Sequence, residues 1–272
     1  MKQQTRSRIA SGLDRARLLG AVERLRAGWL TMQARGGPDA DPDGLPLPPS
    51  RLRLLVDGRS GDAERFLWVG AQAAGSLRAA AADSGTPIEN MAAILDFGCG
   101  SGRVARHWAN LEGVEVHGCD YNEDLVAWCE DNLPFVRAIR NELAPPTSYE
   151  TESFDLIYAL SVLSHLSEPL QHAWVAEFRR LLKPGGLLIV SMLGNACRDR
   201  LTDEERRRYD RGELVVERPR MVGSNLCTAY HPRAYVTDHL LDDFTDIQVL
   251  EFGSSEQSLM QDTYIARLPG GA

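Results

Sequence analysis

Apolar residues recur along the chain in two different rhythms. Between about residues 5 and 34, Ile9, Leu13, Leu18, Leu19, Val22, Leu25 and Leu30 return near helical spacing, with arginines between them. That pattern predicts an amphipathic helix. Prolines and glycines between Gly36 and Pro49 then forbid regular structure. A second helix is predicted from Asp62 to about Ala82, capped by Ser60 or Asp62, with Phe66, Leu67, Val69, Ala73 and Leu77 on its apolar side. From about residue 92 the rhythm changes. Short apolar runs at Ala93–Phe97, Val114–Cys119, Phe135–Ala138, Phe154–Ala159 and Leu187–Ser191 alternate with helical stretches. The helices follow Asp120 and run from about Glu168 to Leu182. Strands alternating with helices predict a mostly parallel α/β sheet. A charged insertion at 195–232 interrupts it, followed by a helix near Pro232–Leu241 and strands near Ile247–Phe252 and Asp262–Arg267. The organisation expected is a helical extension over 1–88 with a Pro-rich linker at 36–50, and an α/β domain over 89–272.

Composition narrows this little. The 272 residues are 43% hydrophobic and 25% charged, with net charge −8, ordinary for a globular protein and an unfavourable balance for a nucleic-acid binder. Five cysteines without C-x-x-C spacing predict neither a disulfide framework nor a zinc site. No run of 18 apolar residues exists to span a bilayer, and the basic N-terminus lacks a secretion signal, so a cytoplasmic protein is expected. The N-terminal helix is expected to pack on its own domain or to join two copies in a homodimer, rather than lie on a membrane.

Chemistry enters at Ile94-Leu95-Asp96-Phe97-Gly98-Cys99-Gly100-Ser101-Gly102-Arg103, which reads as a buried strand, a tight glycine loop and the start of a helix. Glycines at alternate positions let the backbone approach a ligand, and a helix N-terminus would add unpaired N–H groups. A dinucleotide fold needs G-x-G-x-x-G with a small third residue; Arg103 stands where that residue belongs, which argues against NAD or FAD. Asp120 ends the second strand, placed to accept both hydroxyls of a ribose or, alternatively, to cap the next helix.

The acidic residue before G-x-G-x-G resembles motif I of the class I S-adenosylmethionine (SAM)-dependent methyltransferases. Three further features agree: the acidic end of strand two, Phe154-Asp155-Leu156-Ile157, and the turn Leu181-Leu182-Lys183-Pro184-Gly185-Gly186. The resemblance covers 90–195 strongly and 235–268 weakly. Ser161–Leu166, Tyr230-His231-Pro232 and Gln261-Asp262 are similar to methyltransferases found with polysaccharide enzymes. The resemblance implies a Rossmann-like, seven-stranded, mostly parallel sheet with helices on both faces. It implies SAM as cofactor, with S-adenosylhomocysteine as product. Gly98, Cys99, Gly100, Gly102 and Arg103 would form the loop on the methionine part and ribose, and Asp96 would support that loop or bind the SAM amino group through it. Asp120 would bind the ribose and Tyr121 pack on the adenine. Asn141, followed by Glu142, would meet the adenine amino group. The backbone at Leu160 and Ser161 would face the methionine end.

A hydroxyl acceptor benefits from a base. His165, just beyond strand four, is the first candidate for that role, or else a loop-shaping residue; His231 and Asp262 are the second candidates. No ligand-like spacing supports a metal. Arg51, Arg53 and Arg220 are candidates for an anionic acceptor. The activity expected is methyl transfer to a small molecule or sugar, most simply on oxygen. The alternatives are N-methylation of a small amine or amino sugar, and a catalytically inactive SAM-binding regulator. Acceptor choice is expected to lie in 1–88 and in the insertion, which would form a lid.

Overall fold

The computed structural model describes residues 41–42, 44–251 and 261–271, so the predicted N-terminal helix and most of the linker's first half lie outside the described residues. The described chain divides into two units, one up to Phe66 and one from Leu67 on. In the first unit, α1 spans Ser50–Asp57 and ends on Gly58 in the left-handed conformation. Arg53 is buried there. Its guanidinium donates to the carbonyls of Pro48 (2.5 Å) and Gly61 (2.8 Å), so this candidate for binding an anionic acceptor instead ties its own unit together.

The second helix, α2, spans Ala63–Asp83, close to its predicted bounds. The division between the two units falls within α2, after Phe66. A Cβ at Gly70 would stand 2.2 Å from the Arg103 carbonyl oxygen, and Arg78 lies over the Trp108 ring at 5.1 Å. Near the helix end, Arg267 donates to the Ser84 carbonyl at 2.6 Å.

The larger unit is built on β1 (Ala93–Phe97), β2 (Glu115–Asp120), β3 (Val136–Arg140), β4 (Phe154–Leu160), β5 (Leu182–Met192), β8 (Thr245–Leu250) and β9 (Asp262–Arg267). Their order is β3-β2-β1-β4-β5-β9-β8. The first five strands pair in parallel, while β9 runs antiparallel to both neighbours. This is the expected seven-stranded Rossmann-like sheet, and its order reverses between β1 and β4, where open α/β sheets bind ligands at their carboxyl ends. Crossover helices α3 (Glu123–Asn132) and α4 (Glu168–Leu181) connect parallel neighbours. Asn122 caps α3, its side chain accepting from the N–H groups of Asp124 and Leu125; Asp120 is therefore not the cap.

Alternation along β1 assigns the two faces. Leu95 and Phe97 belong to the core with α4, where the Phe97 ring lies 4.5 Å from Trp174 and 4.8 Å from Phe178. Asp96, on the opposite face, pairs in register with Tyr158, whose hydroxyl receives the Trp108 indole N–H at 2.8 Å.

Two sequence motifs meet at the amino edge of the sheet. Lys183 Nζ donates to both Asp155 oxygens (2.9 and 2.8 Å), and Asp155 Oδ2 also accepts from the N–H groups of Ala92 (2.8 Å) and Ala93 (2.9 Å). Burial alone would raise the Asp155 pKa, but Lys183 and the two backbone donors outweigh it and hold it below the usual range. The register between β4 and β5 jumps from Phe154↔Leu182 to Leu156↔Leu187. The Lys-Pro-Gly-Gly turn thus bulges out inside the strand rather than preceding it.

The insertion holds α5 (Asp203–Asp210), opened by a capping box at Thr202, and a hairpin of β6 (Val215–Glu217) with β7 (Thr228–Tyr230). The helix expected near Pro232–Leu241 is a turn at Arg233–Tyr235 continuing as a π-helical turn at Val236–Leu240.

Candidate active site

The glycine loop leaves β1 at the carboxyl edge with Gly98, Gly100 and Gly102 all at positive φ (75°, 57° and 71°), a conformation that costs residues with a Cβ. Two of the three glycines also answer to protein neighbours. A Cβ at Gly98 would meet Val162 Cγ2 at 2.4 Å, and one at Gly102 would meet Leu133 Cδ1 at 2.3 Å. Their absent side chains thus let the loop pack under the β4 edge and against the end of α3. The helix expected after the loop is only a 3-10 turn at Ala105–Trp108. Ala105, Arg106 and Trp108 are all buried, so this short turn is shaped by packing on every side and supplies no helix dipole of consequence.

Asp120 binds that loop directly. Its Oδ2 accepts from Gly100 N–H at 3.0 Å and its Oδ1 from Asn122 N–H at 2.9 Å. Burial raises its pKa, opposed by the backbone donors of Asn122, Gly100 and Tyr121. Each carboxylate oxygen keeps a further lone pair. The Gly100 carbonyl is approached by the thiols of Cys99 (3.6 Å) and Cys129 (3.4 Å). All five cysteines are buried and free, and burial with the Cys129 neighbour pushes the Cys99 thiol well up.

Asp96 is almost wholly buried, and its Oδ2 has no hydrogen-bond partner within the protein. The Tyr158 hydroxyl and the Ala105 N–H bond the carboxyl group, and since that hydroxyl accepts from Trp108 it donates to Asp96. Burial pushes the Asp96 pKa up to about 7; Tyr158 opposes the rise, the Asp120 charge adds to it and Arg103 offsets part of it. An unpartnered buried carboxylate oxygen is costly and marks a place where a ligand donor fits.

Asn141 follows β3 immediately, its N–H on the Asp120 carbonyl at 3.1 Å. Its side-chain N–H donates to Glu142 O at 2.7 Å, leaving a buried Oδ1 without a partner. Glu142 itself is exposed. Tyr121 and Leu143 are the large exposed side chains at these strand ends, 41% and 40% exposed.

After Leu160, Ser161 takes a positive φ of 62°, a strained conformation for a residue with a side chain. A closed ring holds it. Ser161 N–H donates to Ser191 Oγ (2.9 Å), Ser191 Oγ to Gln261 Oε1 (2.9 Å), and Gln261 Nε2 to Ser161 Oγ (2.8 Å). Ser191 and Gln261 were not singled out as site residues. The sequence signals were a serine ending the apolar run of β5 and the Gln261-Asp262 pair of the resemblance, which stands just before and at the start of β9.

The three candidate catalytic side chains each bond a different partner. His231 is fully buried, its Nε2 against Gln171 Oε1 at 3.0 Å, and burial lowers its pKa to about 3. Asp262 is also buried, accepting from Asn195 N–H at 3.1 Å beneath Gly194, where any Cβ would strike its Oδ2. Tyr209 links the two segments, its hydroxyl lying 3.1 Å from both Asn195 Oδ1 and His231 O. His231 thus ties the insertion to α4 and Asp262 ties it to β9, and neither is placed as a solvent-facing base.

His165 lies in a 3-10 turn at Leu163–His165, just past the end of β4. Its Nδ1 is 2.8 Å from the Cys227 carbonyl oxygen. A carbonyl only accepts, so Nδ1 carries the proton and Nε2 keeps its lone pair. Burial lowers its pKa, with the Cys227 bond opposing. The insertion reaches this edge at Gly223, where Tyr121 Oη donates to the Gly223 carbonyl and Gly223 N–H donates to the His165 carbonyl at 2.9 Å. Gly223 has φ 82°, and a Cβ there would meet Leu143 Cδ1 at 2.7 Å. Among the described residues, no group of three His, Cys, Asp or Glu could hold a metal ion, and no helix is long and apolar enough to cross a membrane.

A parallel sheet that reverses order beside a glycine loop, with acidic residues ending or flanking β1 and β2, defines a Rossmann-like nucleotide-cofactor domain. Residues 94–186 match the family described as "Methyltransferase domain". The chain is 34% identical over 110 residues to a ubiquinone biosynthesis O-methyltransferase of Cereibacter sphaeroides, covering 39% of this chain and 43% of that one. It is 31% identical over 157 residues to a protein of the same name from a Ruegeria species, covering 54% and 53%. The chain thus spans about half the length, or less, of the curated relatives it matches. Among solved structures, the glycopeptide N-methyltransferase MtfA complexed with SAM superposes with a TM-score of 0.52 at 15% identity, over 72% of this chain and 93% of that one. A putative methyltransferase in complex with the Haloferax volcanii Trm112 activator gives 0.50 at 14%, over 79% and 96%. At such identities the likeness concerns the fold.

Proposed function

We propose that the chain transfers a methyl group from SAM to the hydroxyl of a small molecule or sugar, with His165 as general base. The observation that carries the base assignment is the Nδ1–H···O=C bond to Cys227, which supports a neutral imidazole presenting Nε2 at the carboxyl edge of β4. When bound, SAM supplies the activated methyl group, so the protein's work is mainly alignment and proton removal. His165 Nε2 accepts the acceptor's hydroxyl proton as the oxygen attacks. Asp96 Oδ2, unpartnered and buried, suits the cofactor's ammonium group. Asp120 suits the ribose hydroxyls with its remaining lone pairs, and Asn141 Oδ1 the adenine amino group. The Ser161–Ser191–Gln261 ring holds the backbone expected at the methionine end.

The O-methyltransferase names of the relatives support oxygen as the acceptor atom; a sugar acceptor rests on the motif resemblance alone. The N-methyltransferase name of one fold neighbour keeps a small amine as the second reading. The test is transfer of label from methyl-labelled SAM to a panel of phenols, sugars and small amines, with His165→Gln alongside. Turnover on a hydroxyl that drops about 100-fold in the variant supports the proposal. Tight S-adenosylhomocysteine binding without transfer to any acceptor would favour an inactive SAM-binding protein. Transfer to amines alone would favour N-methylation.

A further inference from the structure

One stretch of the insertion joins the cofactor half of the cleft to the acceptor half. Gly223 sits between the ends of β2 and β4 with its two backbone groups engaged in opposite directions. Its carbonyl accepts from the Tyr121 hydroxyl, and its N–H donates to the His165 carbonyl at 2.9 Å. Four residues on, Cys227 supplies the carbonyl that fixes His165 Nδ1. The residues between are locked in consecutive turns: Ser224 N–H bonds Met221 O (3.2 Å), Cys227 N–H bonds Ser224 O (3.0 Å), and Ser224 Oγ bonds Met221 O (2.8 Å). A displacement at Gly223 therefore carries to Cys227 instead of being absorbed on the way. Close contact with Leu143 and a positive φ make glycine the only residue that fits position 223 without strain.

We infer that Tyr121 is a positioning residue for His165: its hydroxyl latches Gly223, and the segment from Gly223 to Cys227 thereby sets the tautomer and direction of the imidazole. The inference rests on His165 being the general base, and it gives Tyr121 a task beyond packing on an adenine. The hydroxyl acts through the Gly223–Cys227 segment on His165.

The experiment is nitrogen-15 NMR of the six histidine side chains, free and with S-adenosylhomocysteine, with His165→Gln assigning the signal. The wild type should show His165 as a single Nδ1–H tautomer. Tyr121→Phe keeps the ring and removes the latch. Loss of the single-tautomer pattern at His165, with S-adenosylhomocysteine affinity by calorimetry within about twofold of wild type, is the expected result, since one neutral hydrogen bond outside the cofactor contacts is removed. Gly223→Ala, which displaces the segment while leaving Tyr121 intact, should give the same loss. An unchanged His165 tautomer in Tyr121→Phe overturns the inference, whatever happens to its melting temperature. So does a tenfold or greater loss of S-adenosylhomocysteine affinity, because the hydroxyl would then serve the cofactor. Full methyl transfer by His165→Gln would instead remove the base and leave the latch standing, so the two failures are distinguishable.

Discussion

Asp96 sits under electrostatic tension at the start of the glycine loop. Its carboxyl is buried, one oxygen is unpartnered, and its pKa is pushed up to about 7. An ordinary aspartate ionises near pH 3.9, so the folded state without cofactor holds this proton more tightly than the unfolded one. The contribution to stability is present below about pH 4 and is lost as pH rises through about 7. A cationic ammonium at Oδ2 would reverse the preference. S-adenosylhomocysteine binding near pH 7 should therefore release about half a proton, read by calorimetry in buffers of different ionisation enthalpy, and Asp96→Asn should abolish the release. Asp120 answers to a different measurement. Asp120→Ala removes the proposed ribose acceptor and the anchor of Gly100 together, and should weaken S-adenosylhomocysteine binding by about 1–3 kcal/mol. An unchanged affinity would take Asp120 out of the cofactor site.

Among the elements, the pairing of Lys183 with Asp155 shows that strong sequence motifs need not touch ligand. The bridge joins the start of β5 to the start of β4, and Asp155 also holds the entry of β1 through Ala92 and Ala93. Its pKa is depressed, so its contribution is present above the unfolded value near 4 and is lost as pH falls through the lower folded value. Lys183→Met should reduce urea stability near pH 7, and the difference from wild type should shrink below about pH 4. A constant difference across that range would mean that Lys183 acts through packing alone. The glycine loop depends on neighbours in the same manner. Gly98→Ala should lower stability or loop occupancy because Val162 and a positive φ both oppose the new Cβ, whereas a purely ligand-facing glycine would lose affinity without losing stability.

At the scale of the whole molecule, the cofactor contacts proposed here all come from the unit beginning at Leu67. A version lacking residues 1–40 should bind S-adenosylhomocysteine within about twofold of the full chain. If it loses binding, the N-terminal segment contributes to the cofactor site. In the full chain, ligand at 100 times its dissociation constant should stabilise the fold by about 2.7 kcal/mol. That corresponds to a rise in melting temperature of several degrees for a domain of this size, seen in a thermal melt.

The sequence by itself determined the sheet and pointed to the cofactor. Periodicity set β1, β2 and β4 nearly to the residue, because buried parallel strands read as continuous apolar runs; it missed the start of β5, where the Lys-Pro-Gly-Gly bulge breaks the apolar run. Three alternating glycines beside two aspartates are a local arrangement, legible without knowing what packs on them. What the tertiary structure decided depends on contacts distant in sequence. His231 and Asp262 carry the right chemistry for catalysis, yet their burial against Gln171 and Gly194 turns them into braces. Gln261 reaches Ser161 across a hundred positions, and Tyr121 reaches Gly223 across a similar span. A side chain's type is written in the sequence, but its solvation and its partners are set only when separate elements meet. The glycine loop, made of neighbours in sequence, was therefore readable from the sequence; the partners of His165 and Tyr121 were not.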